Sequence, residues 1–332
     1  MILRIKFAVE ERSQPAIRRC ADYLEQLIKL KSNHPRVVAT RAFTPYTLAP
    51  LLSATGAYEQ SAIATIKSLR SLGLEPWELT FTDACIQATA SHDWLKAMGL
   101  FETAVVNSQG QAAFLWWYTA LLTSFGYVNE AIEILTKATT RFGSGSNAVR
   151  LDLGMLQIIG RRYSEAEETL LSLVETPTAT SFIAITYLAI LYEATDSSDK
   201  LASLESEFSK RYKKLNLFSI WNCYHPLLFG MWALIYGRVG NNKLAEKMYK
   251  RLLRSARWFG QSSPLELAIA SMGCPEIVHV DATVGLLEKA AFSAHDPLTM
   301  WFHVFPPLRH LKDVPGFQSL LKRLNLPPLR PS

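Results

Sequence analysis

A small residue followed four positions later by a bulky apolar or aromatic one recurs along this chain at nearly constant spacing. It stands at Ala97/Phe101, Ala131/Leu135, Ala166/Leu170 and Ala245/Tyr249, and three residues further on come Ala104, Ala138, Leu173 and Leu252. The first three alanines lie 34 and 35 residues apart, and the longer gap to Ala245 leaves room for two units. Steps of four and three place such side chains on one helix face, and a period near 34 is that of stacked helical hairpins. The physical need is packing distance. Two antiparallel helices approach closely only where one of them presents nothing larger than Ala or Gly, and the bulky residue one turn later fills the groove.

A repeat array has no single-core size limit, because each unit touches only its neighbours. The 332 residues therefore read as one continuous array over 1–300 followed by a capping tail over 301–332. With 49% hydrophobic and 19% charged residues the chain is not of a disordered type. Its longest apolar runs, 112–118, 182–192 and 226–236, fall well short of the roughly 20 residues a membrane-spanning helix needs. Arg4 and Lys6 interrupt the apolar start and no small-residue cleavage site follows, so no secretory signal is expected. Cys20, Cys85, Cys223 and Cys274 form no C-x-x-C pair. They imply a reduced, cytoplasmic chain in which cysteine packs as a small hydrophobe.

The stretch 229–252 carries Phe229, Trp232, Ala233 and Tyr236, then Gly240 at a turn, then Ala245, Tyr249 and Leu252. This resembles the tetratricopeptide repeat, with its W-x2-L-G-x2-Y helix, turn glycine and A-x3-F helix. Residues 112–146 supply Leu115, Tyr118, Thr119, Leu122 and Gly126; residues 147–180 supply Leu153, Gly154, Gly160, Tyr163 and a closing Pro177. Ala84, Cys85 and Ala88 open a further unit after Pro76. Units at 1–34 (Cys20, Leu24, Leu27), 42–75 (Gly56, Tyr58, Ala62) and 182–215 are weaker, the last with Ser197, Ser198 and Asp199 disturbing its turn. The resemblance implies an all-α, right-handed superhelix of about seven hairpins with a C-terminal capping helix. Tyr118, Gly154, Trp232 and Tyr236 would hold the stack.

In that family the working surface is usually the concave groove lined by the first helix of each hairpin. Carried onto this chain, the lining is Thr82, Ile86, Trp116, Ala120, Leu151, Met155, Thr186 and Ile190, then Gly230 and Leu234. It is apolar and lacks the Lys, Asn and Arg clamp of repeats that bind acidic C-terminal peptides. Such a groove takes an apolar helix or small apolar ligand, or is closed by the chain's own tail.

The tail carries the stretch Val314-Pro315-Gly316-Phe317-Gln318-Ser319-Leu320-Leu321-Lys322-Arg323-Leu324-Asn325-Leu326-Pro327. It is similar to the D-P-x-F-Q-x-L-L-x-x-L-x-L-P ending of bacterial tetratricopeptide proteins, notably the repeat halves of one-component winged-helix transcriptional regulators. His92-Asp93-Trp94 is similar to the short turn those proteins carry ahead of the A-x3-F helix. The resemblance implies a regulatory or sensory array acting on an effector. That effector is expected either in a separate protein or upstream of Met1.

Catalytic signatures are missing from the sequence. There is no glycine-rich phosphate loop, H-E-x-x-H or G-x-S-x-G, so no enzyme and no cofactor is expected. Cys223 and His225 diverge on a helix, and Pro306 and Pro307 separate His303 from His310. These residues and His295 read as solvated or hydrogen-bonded side chains, with no metal. Lys243, Lys247, Lys250, Arg254 and Arg257 follow steps of four and three along one helix face, near Lys210, Arg211, Lys213 and Lys214, in a chain of net charge +6. As the alternative to groove binding, this ridge could meet nucleic acid or anionic lipid. Its plainer reading is a solvated outer face, and without interleaved aromatics direct nucleic-acid binding is not the expectation.

Overall fold

In the computed structural model the described residues cover most of 34–327, with breaks at 53–55, 75–76, 108–111, 142–146, 175–178, 215–227 and 260–262, together with a few positions between 19 and 29. Among them every regular element is helical, and successive helices pack on their neighbours. Leu24, Leu27 and Pro177 lie outside the described residues. The chain divides into two compact units. The first comprises 1–152, 295–301 and 325–332; the second comprises 153–294 and 302–324.

The first unit contains α1 (Pro35–Leu52), α2 (Gly56–Ser71), α3 (Trp77–Ile86), α4 (Trp94–Asn107), α5 (Ala112–Ser124) and α6 (Val128–Arg141). The pairs α1/α2, α3/α4 and α5/α6 pack as hairpins, and α4 also meets α5. Its core is aromatic. Phe81 lies 5.5 Å from Phe101 and 6.4 Å from Trp117, whose indole N–H donates to the carbonyl of Tyr46 at 3.1 Å. Trp117 is the fully buried ring of α5 and Tyr118 is only half-buried, because α5 is apolar around its whole circumference and the neighbouring helices take up more than one face.

The helix α7 (Asn147–Ile159) runs past residue 152 into the second unit, which continues with α8 (Tyr163–Leu171), α9 (Ala179–Ala194), α10 (Ser198–Lys214), α11 (Leu228–Arg238), α12 (Asn242–Phe259), α13 (Pro264–Met272) and α14 (Val280–Phe292), and closes with α15 (Pro315–Leu324). Trp232 is fully buried, stacked on Phe208 with ring centroids 3.6 Å apart, and its indole N–H donates to the hydroxyl of Thr186 at 3.2 Å. Tyr236 is buried beside it, 6.0 Å away. A Cβ on Gly154 would fall 2.6 Å from Leu170, so the small residue and its bulky partner touch as the repeat pattern demands. The tightest crossing joins α11 and α13. A Cβ on Gly237 would lie 2.1 Å from the carbonyl oxygen of Gly273, and one on Gly273 would lie 2.2 Å from that of Ala233.

Five hairpins turn in the same way. His92, Gly126, Arg161, Asp196 and Gly240 all adopt the left-handed conformation, with φ of 51°, 84°, 59°, 52° and 81°. At four of these turns the next N–H closes a ring back to the preceding helix, from Tyr127 to Leu122, Arg162 to Gln157, Ser197 to Tyr192 and Asn241 to Tyr236, at 2.7–2.9 Å. This is the helix-ending motif that satisfies orphan carbonyls. The residue after each left-handed position then accepts the first N–H of the following helix, donated by Ala97, Ala131, Ala166, Leu201 and Ala245. Leu201 thus occupies the anchor position of the repeat hidden in the long alanine gap. The serines at 197 and 198 do not disrupt that turn, because Asp196 supplies the left-handed residue.

Arg161 is exposed and takes a conformation that costs an L-residue about 1–2 kcal/mol. Arg161→Gly should therefore raise stability by about 1 kcal/mol in chemical denaturation; a loss would show that the turn is held by the arginine side chain. Gly273→Ala should cost about 1–3 kcal/mol by forcing α11 and α13 apart, and Gly285→Ala, whose Cβ would meet nothing, should stabilise by about 0.5–1 kcal/mol. Equal effects at the two glycines would contradict the close crossing.

Candidate functional site

The site begins with an irregular helix end. After Ile86 the chain widens into a π-helical turn over Gln87–Ser91, which ends at His92 with φ 51° and ψ 32°. The backbone N–H groups of His92 and Asp93 both donate to the carbonyl of Gln87. Asp93 then caps α4, its carboxylate accepting the N–H of Lys96 at 3.2 Å. Trp94 follows directly, its ring 5.6 Å from the imidazole of His92.

These residues border a half-open cleft of about 880 Å³ in the first unit. The start of α4 contributes Trp94, Leu95, Met98 and Glu102. Leu122 and Phe125 at the end of α5, and Tyr127 just beyond, form the facing wall, and Asn325–Pro327 complete the lining. Leu95 leaves 76% of its surface exposed at the rim. The cleft therefore mixes aromatic and apolar side chains with the polar groups of Ser91, His92, Asp93, Glu102 and Asn325.

Behind it lies a set of titratable groups. Burial, with nearby His295 adding to it, pushes the His92 imidazole down to about 4. The Nδ1 atom of His295 sits 2.7 Å from a carboxylate oxygen of Glu59. Asp296 is completely buried. One of its oxygens accepts the N–H of Leu298 at 2.9 Å and the other has no partner among the described residues. Burial pushes this carboxyl up to about 7, with the Leu298 hydrogen bond pulling the other way.

All of the groove positions predicted from the sequence, Thr82, Ile86, Trp116, Ala120, Leu151, Met155, Thr186, Ile190 and Leu234, are buried, as is Gly230. In the first unit the cover over two of them is the chain's own segment 295–301. Trp301 packs 5.9 Å from Trp116 and its indole N–H donates to the carbonyl of Ala120 at 2.9 Å, while the hydroxyl of Ser124 donates to the carbonyl of Met300 at 2.6 Å. In the second unit Thr186 is taken up by Trp232. A Cβ on Gly230 would run into the backbone of Glu266.

On the ridge, Lys243, Lys247, Lys250 and Arg254 are exposed along α12, with Lys250 paired to Glu246. The side chains of Arg257, Arg211, Lys213 and Lys214 lie outside the described residues, as do Cys223 and His225; Lys210 is exposed. His310 is engaged in the second unit, its Nε2 2.8 Å from Glu193. Beside it Arg309 donates to the carbonyls of Glu193 and Ala194 at 2.8 and 2.9 Å, capping the C-terminus of α9 with a cation. Among the described residues no group of three or more His, Cys, Asp or Glu side chains is arranged to hold a metal, and no helix is long and apolar enough to cross a membrane.

Sequence reading singled out His92-Asp93-Trp94 as a turn and did not join it to Phe125, Tyr127 or Pro327, since nothing in the spacing brings these together. The available signal was a pair of aromatics flanking Gly126 next to a Trp-bearing turn one repeat earlier. No protein-family model, curated protein or solved structure matches the chain.

Asp296 gives the fold a pH signature. Its native carboxyl titrates near 7 against an ordinary 3.8, so between these values the native state holds a proton the unfolded chain has lost, and stability falls as pH rises. His92 acts oppositely, its depressed value making stability rise with pH between about 4 and 6.5. Asp296→Asn removes the first effect alone. The variant should gain melting temperature over the wild type at pH 7.5 and match it near pH 4; a gap that is the same at both pH values would mean Asp296 does not titrate in this window.

Proposed function

We propose that this chain is a non-catalytic sensing scaffold, built as a right-handed superhelix of about seven tetratricopeptide-like hairpins, with the cleft at Trp94, Phe125 and Tyr127 as its recognition site. The observation that carries this reading is the cleft itself: about 880 Å³, half-open, walled by aromatic and apolar side chains on rigid helix ends. The groove positions Trp116 and Ala120 are covered by Trp301, so recognition belongs to the turn end of the hairpins and not to the groove. The tail motif 314–327 supports a place in the regulatory half of a bacterial transcriptional regulator. Buried cysteine thiols at 20, 85 and 274 favour a cytoplasmic setting.

A thermal-shift screen of small apolar and aromatic compounds tests this directly. A compound at a hundred times its Kd should stabilise the fold by about 2.7 kcal/mol, and Tyr127→Ala should abolish the shift without lowering the melting temperature of the free protein by more than a few degrees. Chemical conversion of a bound compound, seen by mass spectrometry, would overturn the non-catalytic reading.

The ridge supports a second reading, because Lys243, Lys247 and Arg254 are exposed on one stripe of α12. If it binds nucleic acid or anionic vesicles, affinity should fall steeply between 50 and 200 mM salt, on the order of ten-fold per few neutralised charges. Cleft binding of a neutral compound should barely respond to salt.

A further inference from the structure

We infer that the cleft selects an organic cation with an apolar or aromatic body. This deepens the proposed function and rests on the cleft being a ligand site. Among the described residues, the acidic and basic side chains that line it are of one sign. Asp93 and Glu102 are the acidic side chains that line it, no Lys or Arg among the described residues does so, and burial pushes the imidazole of His92 at its border down to about 4. Lys96 shares the exposed side of α4 but does not line the cleft.

The walls suit the same ligand. Trp94, Phe125 and Tyr127 bring aromatic rings to the lining, the side-chain type that attracts a cation electrostatically and an apolar body by burial. A small molecule fits better than a docked helix. The lining comes from the first three turns of α4 and the turn before it, the end of α5 and the turn after it, and Asn325–Pro327, and does not extend as a row of anchors along a groove. The net charge of the chain is +6, so its long-range field favours anions. A preference for cations at the cleft would therefore report the local carboxylates and not the overall charge.

Calorimetric titration of the full chain with three probes of related shape tests the assignment: tetraphenylphosphonium, neutral triphenylphosphine oxide and anionic tetraphenylborate. The cation should bind about ten-fold or more tightly than the other two. Glu102→Gln should reduce that preference several-fold, and Met98→Arg, which sets a positive charge in the half-exposed wall, should remove cation binding while the circular dichroism melt stays unchanged. Should the neutral or anionic probe bind as well as the cation, the charge assignment fails and the cleft remains a ligand site. Should none of the three bind, or should binding ignore Glu102→Gln, Met98→Arg and Tyr127→Ala alike, both the assignment and the site are wrong.

Discussion

The structure depends on a turn that closes one helix and starts the next within two residues. A left-handed residue redirects the chain, the following N–H returns to the helix just finished, and the following carbonyl accepts the first hydrogen bond of the helix about to form. That geometry holds the second helix close to the first, so the residue five positions after the turn faces its neighbour directly. Ala97, Ala131, Ala166 and Ala245 occupy that position with no exposed surface. The alanine period in the sequence is therefore the imprint of the turn on the packing and has no separate cause. Leu201 shows the tolerance of the arrangement, since a larger residue stands there 5% exposed.

Close approach in the first place makes aromatic filling possible in the second. Where α11 and α13 meet, glycine on both sides brings backbone against backbone. Burial of that kind gains dispersion contacts at little side-chain entropy cost. Elsewhere in the same unit Phe208, Trp232 and Tyr236 occupy the wider gaps. Three buried indole N–H groups find oxygens, those of Trp117 and Trp301 on backbone carbonyls in the first unit and that of Trp232 on Thr186 in the second. Each of these bonds avoids the penalty of about 1–3 kcal/mol for an unsatisfied buried donor.

Much of the helical architecture was legible in the chain because close packing leaves small residues at fixed intervals. The turn glycines 126 and 240 were legible for the same reason. The turn at His92 was legible only through its resemblance to a family turn, and the left-handed residues at Arg161 and Asp196 were not legible, since any L-residue can be held left-handed when the surrounding hydrogen bonds outweigh its cost of about 1–2 kcal/mol. Nor did the pattern distinguish Trp116, Trp117 and Tyr118: periodicity loses its meaning on a helix that is apolar all round, and only tertiary contacts decide which ring is innermost. The cleft was the least legible feature. Its parts lie at 91–102, 122–127 and 325–327, each read as a turn, a helix end or a tail.

The groove positions and the turn ends differ in how the chain covers them. A first-helix face lined by Trp116 and Ala120 is costly to leave in water, and segment 295–301 covers it with Trp301 while giving Ser124 an acceptor in Met300. Covering that face carries Asp296 into the interior, where burial pushes its carboxyl up to about 7. The turn ends are different, because a chain that must reverse direction between helices cannot also seal the space beside the reversal. Trp94, Phe125 and Tyr127 gather around such a space on backbone whose hydrogen bonds are already satisfied by the turn geometry. On the proposed reading, walls held by these helix ends and turns would lose little of the binding free energy to ordering.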